Sequence, residues 1–143
     1  MKGIRDLNAA YYQAGAALEQ AFRLRSDRWI IPFSQCALDH LLQVLPAPLT
    51  PTHLVAPELA ILMQHDRENG TQYFETFREY LLQERDIPKT AQALIIHRTT
   101  LIYRLKKILS LIHTNPDDPW QRTYLMLSLW ILERDRSPKN SSV

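Results

Sequence analysis

Ten side chains between positions 89 and 107 could do chemistry together: Lys89, Thr90, His97, Arg98, Thr99, Thr100, Tyr103, Arg104, Lys106 and Lys107. They are hydrogen-bond donors and cations, the groups that hold phosphate oxygens and base edges rather than break bonds. From Ile87 to Pro116 there is no Asp or Glu. The five Lys and Arg residues of that stretch give +5, in a chain whose formal total is +2. A one-sided charge of this size points to a polyanion, with duplex DNA the first candidate partner.

Chemistry of other kinds finds no constellation. His40, His53, His65 and Asp66 lack a metal-ligand spacing, and Cys36, the single cysteine, has no intramolecular partner. No Ser-His-Asp or Cys-His arrangement stands out, and with 3 Gly a glycine-rich phosphate loop is disfavoured. Core or surface roles fit these residues better, and Asp66 suits a hydrogen bond at a helix end. No enzyme activity, metal or cofactor is expected. No run reaches the 18 or so apolar residues of a spanning helix. The first ten residues lack the apolar core of a signal peptide. A soluble cytoplasmic protein with no membrane partner is the expectation.

The basic residues need elements to position them. Pro88 opens a short helix ending near Leu94, and a second runs from His97 to about Ile112. At about 100° per residue, Leu101, Leu105, Ile108, Leu109 and Ile112 of the second helix form one inward stripe. Thr99, Tyr103, Lys106 and Ser110 lie directly opposite, with Thr100 and Lys107 beside them. Ala91 and Ala93 supply small residues where the helices cross, and Ile96 is the apolar plug of the turn. The spacing therefore predicts a helix-turn-helix over about 88–112. Its division of labour follows. His97, Arg98, Thr99 and Tyr103 are candidate base readers, with Arg98 best suited to a guanine. Lys89, Thr90, Thr100, Lys106 and Lys107 are candidate phosphate contacts. Arg104 sits near the core boundary, where it can reach DNA or pair with an acid of its own domain. Tyr103 can equally cover the helix edge, and His97 can serve as an N-cap.

The rest of the chain reads as further helices. Ile4–Arg25 is helical in pattern, and a short apolar piece follows at 29–33. Ser34 can cap a helix to Leu45, with Cys36, Leu38, Leu41, Leu42 and Leu45 as its apolar side. Prolines make 46–53 a loop. Pro57 starts a helix that Gly70 closes, Thr71 caps the next one to about Arg85, and Asp118-Pro119 starts the last, 120–134. The apolar stretch Tyr124–Leu132 is expected to bury itself against the helix-turn-helix rather than form a dimer contact. The class is all-α, a helical bundle containing a helix-turn-helix. An N-terminal helix (1–28), a helical domain (29–136) and a disordered tail (137–143) are expected. Residues 1–75 hold 6 Lys/Arg against 8 Asp/Glu and residues 76–143 hold 11 against 7, so the basic signal belongs to the second half.

Thr90–Leu111, TAQALIIHRTTLIYRLKKILSL, resembles the C-terminal helix-turn-helix of the PucR/CdaR-type bacterial transcriptional regulators. The pattern there is roughly tA..L.iHrNTl.YRl.ki, matched by Thr90, Ala91, Leu94, Ile96, His97, Arg98, Thr100, Leu101, Tyr103, Arg104, Leu105, Lys107 and Ile108. The unit is also similar to the DNA-binding helices of Fis-type nucleoid proteins. Positions 29–133 follow the PucR-type pattern, and 4–25 look like the last helix of a preceding domain. Two departures stand out. Thr99 replaces a common Asn, which removes any base contact that Asn makes. Ile95 stands where Fis-like turns carry Gly, so this turn is expected to adopt a conformation that a β-branched residue tolerates. The resemblance implies the DNA-binding domain of a transcriptional regulator. A homodimer is compatible with it, because two half-sites multiply affinity. The alternative is an all-α interaction or dimerisation module that does not read DNA.

Overall fold

The computed structural model describes residues 4–23, 33–46 and 48–136. The chain divides into two compact units, 1–51 and 52–143. All regular structure among the described residues is helical. The boundary expected near residue 28, the apolar piece at 29–32 and the tail at 137–143 lie outside the described residues.

The first unit contains α1 (Ile4–Arg23), a 3-10 turn (Phe33–Gln35) and α2 (Ala37–Gln43). Ser34 does not cap α2. It falls inside the 3-10 turn, and Cys36 takes the N-cap position without a capping side-chain bond. Cys36 is buried, its thiol donating to the Phe33 carbonyl at 3.3 Å. The expected apolar side of α2 is only partly used. Cys36 and Leu42 are buried, Leu45 is half-buried, and Leu38 and Leu41 face water.

The second unit holds α3 (Pro57–Asn69), α4 (Tyr73–Leu82), α5 (Ile87–Ala93), α6 (Arg98–Ile112) and α7 (Pro119–Arg136). Pro57 lies in the first turn of α3, where its missing N–H is not needed. Gly70 ends α3 at φ +66°, the left-handed position that glycine fills without strain. Thr71 does not cap α4. Asp66, back in α3, accepts bonds from Tyr73 N at 2.7 Å and Phe74 N at 2.8 Å, and also from the Thr71 hydroxyl. One carboxylate thus satisfies the opening N–H groups of the next helix and ties the α3–α4 corner. Asp118 and Pro119 open α7 as their order predicts, with Asp118 Oδ1 accepting from Gln121 N at 2.8 Å.

The core joins Leu59, Leu62, Phe77, Leu81, Leu101, Leu105, Ile108, Leu125 and Leu129 from all these helices except α5, which adds Ala91. α6 runs through the middle, packed on α3, α4 and α5. The apolar stretch of α7 is buried at Leu125, Ser128, Leu129 and Ile131, but α7 packs chiefly on α4 and α3 rather than on α5 and α6. Ser128 accepts from Ala56 N at 2.8 Å and donates to Tyr124 O, so the residue before α3 is hooked onto α7. Arg78 of α4 reaches Glu133 of α7 and Glu75 of its own helix.

Candidate nucleic-acid interface

Asp86 begins the site. Its carboxylate caps α5 by accepting from Lys89 N at 2.9 Å, and it sits 3.8 Å from the Lys89 ammonium. This exposed pair holds Lys89 only weakly, because water screens it. Thr90 does not join the surface. It is fully buried, and its hydroxyl donates to the Asp86 carbonyl at 2.6 Å. Thr90 is a clasp inside α5, and its side chain cannot meet a phosphate in this conformation.

The turn between α5 and α6 closes by two backbone bonds. Ile96 N donates to Ala91 O at 3.0 Å and Ile95 N to Gln92 O at 3.1 Å. This is the Schellman end of a helix, which requires a left-handed residue in the middle. Ile95 occupies that place at φ +55°, contrary to the expectation of a conformation suited to a β-branched residue. Its side chain is also 92% exposed, so no burial offsets the strain. Ile96 behaves as the plug and packs against the core, half-buried. Ala91 is buried, as a crossing residue must be, whereas Ala93 is exposed. Replacing Ile95 by Gly is expected to raise the stability of unit 52–143 by about 1 kcal/mol, since the left-handed penalty outweighs glycine's added chain entropy. Urea denaturation monitored by circular dichroism reads the change.

α6 then presents its two sides. Leu101, Leu105, Ile108 and Ile112 are buried, with Leu109 half-buried beside them. His97, Arg98, Thr99, Thr100, Tyr103, Lys106 and Lys107 are all exposed. His97 is the N-cap residue by its backbone, at φ −68° and ψ 145°, but its ring makes no capping bond. The opening amides of α6 therefore keep their donors for an outside acceptor. The Lys107 ammonium lies 5.7 Å from the centre of the Tyr103 ring, which steadies both on the outer face. Arg104 is half-buried, and its guanidinium donates to the buried Thr76 hydroxyl of α4 at 3.2 Å. It braces α6 on α4; the partner is a hydroxyl rather than an acid.

Ile102, absent from the residues expected on this surface, is 36% exposed at the edge of the same face. Its angular position, between Arg98 and Lys106, carried that signal. Asp66 does make the helix-end hydrogen bonds expected of it, but at the start of α4 rather than at the end of its own helix.

A short helix, a tight turn over a half-buried plug and a second helix with an apolar inside and a cationic outside make this unit a helix-turn-helix. Residues 73–131 match the PucR C-terminal helix-turn-helix domain. The chain is 32% identical over 77 residues to the proline-responsive transcriptional activator PutR of Bacillus subtilis (strain 168). That alignment covers 54% of this chain and 19% of that protein, so the chain matches a small part of its relative. No solved structure matches. Among the described residues, no helix is long and apolar enough to cross a membrane. None of them form a group of three or more His, Cys, Asp or Glu able to hold a metal.

Proposed function

We propose that this chain is the duplex-DNA-binding part of a bacterial transcriptional regulator, acting in the cytoplasm, with α6 as the helix that enters the major groove. The observation that carries this reading is the outer face of α6, which is exposed, cationic and acid-free from Arg98 to Lys107. His97, Arg98, Thr99 and Tyr103 meet base edges in this reading, since the N-terminal half of such a helix goes deepest. Arg98 is the residue assigned to a guanine, through two bonds to O6 and N7. Ile102, beside them, offers an apolar surface for a thymine methyl group. Lys89, Lys106, Lys107 and the hydroxyl of Thr100 hold phosphates, helped by the open amides and positive dipole end of α6. Arg104 acts as a brace, and Thr90 drops out of the contact set. Two copies binding two half-sites raise the affinity over a single weak module, so the working form is a homodimer.

Selection from a pool of random duplexes tests this reading. A recovered motif with one or more fixed guanines is the expected outcome; recovery of the unselected pool, with no enrichment, would leave the interaction-module alternative. Lys106→Ala is expected to weaken binding to all duplexes by a similar factor and to reduce the slope of log K against log salt by about 1. Fluorescence anisotropy at several salt concentrations measures both.

A further inference from the structure

α1 carries a surface that its own unit leaves unused. Ile4, Leu7, Tyr11, Ala14, Leu18 and Ala21 recur at alternating spacings of 3 and 4. That is the a and d pattern of a coiled-coil seam, sustained over the helix. At 3.6 residues per turn these positions fall within an arc of about 100°. Leu7, Tyr11 and Leu18 are 71%, 77% and 59% exposed, and Phe22, at the seam's edge, is 76% exposed. The packed side of α1 holds the half-buried Ala16 and Ala17, away from the centre of the seam. Ala16 and Glu19 are there, lining a small cleft with Cys36, His40 and Gln43.

The pattern also says what covers the stripe. A seam with this spacing fits another helix with the same spacing, because each a or d side chain needs a four-residue hole to enter. The flanking e and g positions are Asn8, Gly15, Phe22, Ala10 and Ala17, none of them charged. Two identical copies therefore meet without like-charge repulsion, and no charge code selects a different partner. The charged residues Arg5, Asp6, Glu19 and Arg23 fall at the outer positions of the repeat. A Cβ added at Gly15 meets nothing within 4 Å, so the seam's edge is open as well.

We infer that α1 pairs with α1 of a second copy of this chain as a two-stranded coiled coil. This deepens the homodimer part of the function proposed above and is independent of which bases α6 reads. A helix of this length spans about 30 Å, which places the interface at the small end of stable interfaces, so its dissociation is sought at micromolar concentrations.

Sedimentation of the whole chain without DNA, from about 1 to 100 µM, spans that range. The unmodified protein is expected to pass from monomer to dimer. Leu18→Glu is expected to weaken the dimer at least tenfold, and Leu38→Glu, on α2 and off the seam, to leave it unchanged. Ala14→Leu, which puts a favoured side chain at a d position, is expected to tighten the dimer several-fold; it keeps the test sharp should Leu18→Glu unfold α1. A monomer throughout the range, or a dimer indifferent to both seam changes, overturns the inference. The first of these results also covers the case in which an upstream region of a longer regulator occupies the stripe. Because no DNA is present, a dimer that binds no duplex sinks the DNA reading alone, and a monomer that binds duplex sinks this pairing alone.

Discussion

Asp66→Ala is expected to destabilise unit 52–143 by about 2–4 kcal/mol, because a carboxylate that accepts several hydrogen bonds is lost and part-buried amides are left without partners. Three donors converge on this carboxylate: Tyr73 N, Phe74 N and the Thr71 hydroxyl. Alanine would leave the opening amides of α4 without an acceptor at a packed corner, next to the buried Phe74 and Phe77. Asp66→Asn keeps one carbonyl oxygen and is expected to recover part of the loss. The effect reaches the DNA surface indirectly. α4 packs on α6 and holds Arg104 through Thr76, so loosening α4 loosens the platform beneath the outer face. A urea midpoint unchanged in Asp66→Ala, with the same dependence on denaturant, would show that water supplies these amides equally well.

The second large effect belongs to Arg98. Arg98→Ala is expected to weaken binding to the preferred duplex by about 1–3 kcal/mol, roughly 5- to 150-fold, while binding to unrelated duplexes falls far less. The asymmetry is the informative part. A guanidinium that donates two bonds to one guanine separates the right base from the wrong ones, whereas a phosphate contact weakens every sequence alike. Arg98→Lys keeps the charge and loses the fork, so it is expected to behave closer to Ala on the preferred duplex and closer to the unmodified chain on others. Equal losses on preferred and unrelated duplexes would reassign Arg98 to a phosphate.

Much of this surface was legible in the sequence because a helix converts spacing into direction. The apolar positions Leu101, Leu105, Ile108 and Ile112 placed the inside of α6, and burial follows that stripe. Local punctuation was equally readable. Pro57, Gly70, Asp118 and Pro119 act within a few residues of themselves, and each sits where its backbone preference puts it.

Where the structure departs from the spacing, the deciding partner is set either by another helix or by the turn of the residue's own helix. Thr71 looks like an N-cap until Asp66 reaches over from α3 and takes both Thr71 and the amides that Thr71 would have served. Thr90 looks like a surface hydroxyl because it neighbours Lys89, yet the turn of α5 points it inward onto Asp86. Tyr124–Leu132 is apolar enough to pack anywhere, and only the arrangement of the whole bundle assigns it to α4 and α3. Ile95 is a different case. Its residue type argued against a left-handed turn, but the two backbone bonds that close the end of α5 require one, and that closure overrides the preference of the side chain.

Binding of the unmodified chain to duplex DNA as a function of salt tests the central claim most directly. If Lys89, Lys106 and Lys107 hold phosphates, log K should fall linearly with log salt at a slope of about −3 per protomer, with micromolar or tighter binding at the low-salt end. No binding at low salt with about 10 µM protein, or binding whose strength does not change with salt, would contradict a cationic face on α6 that holds DNA.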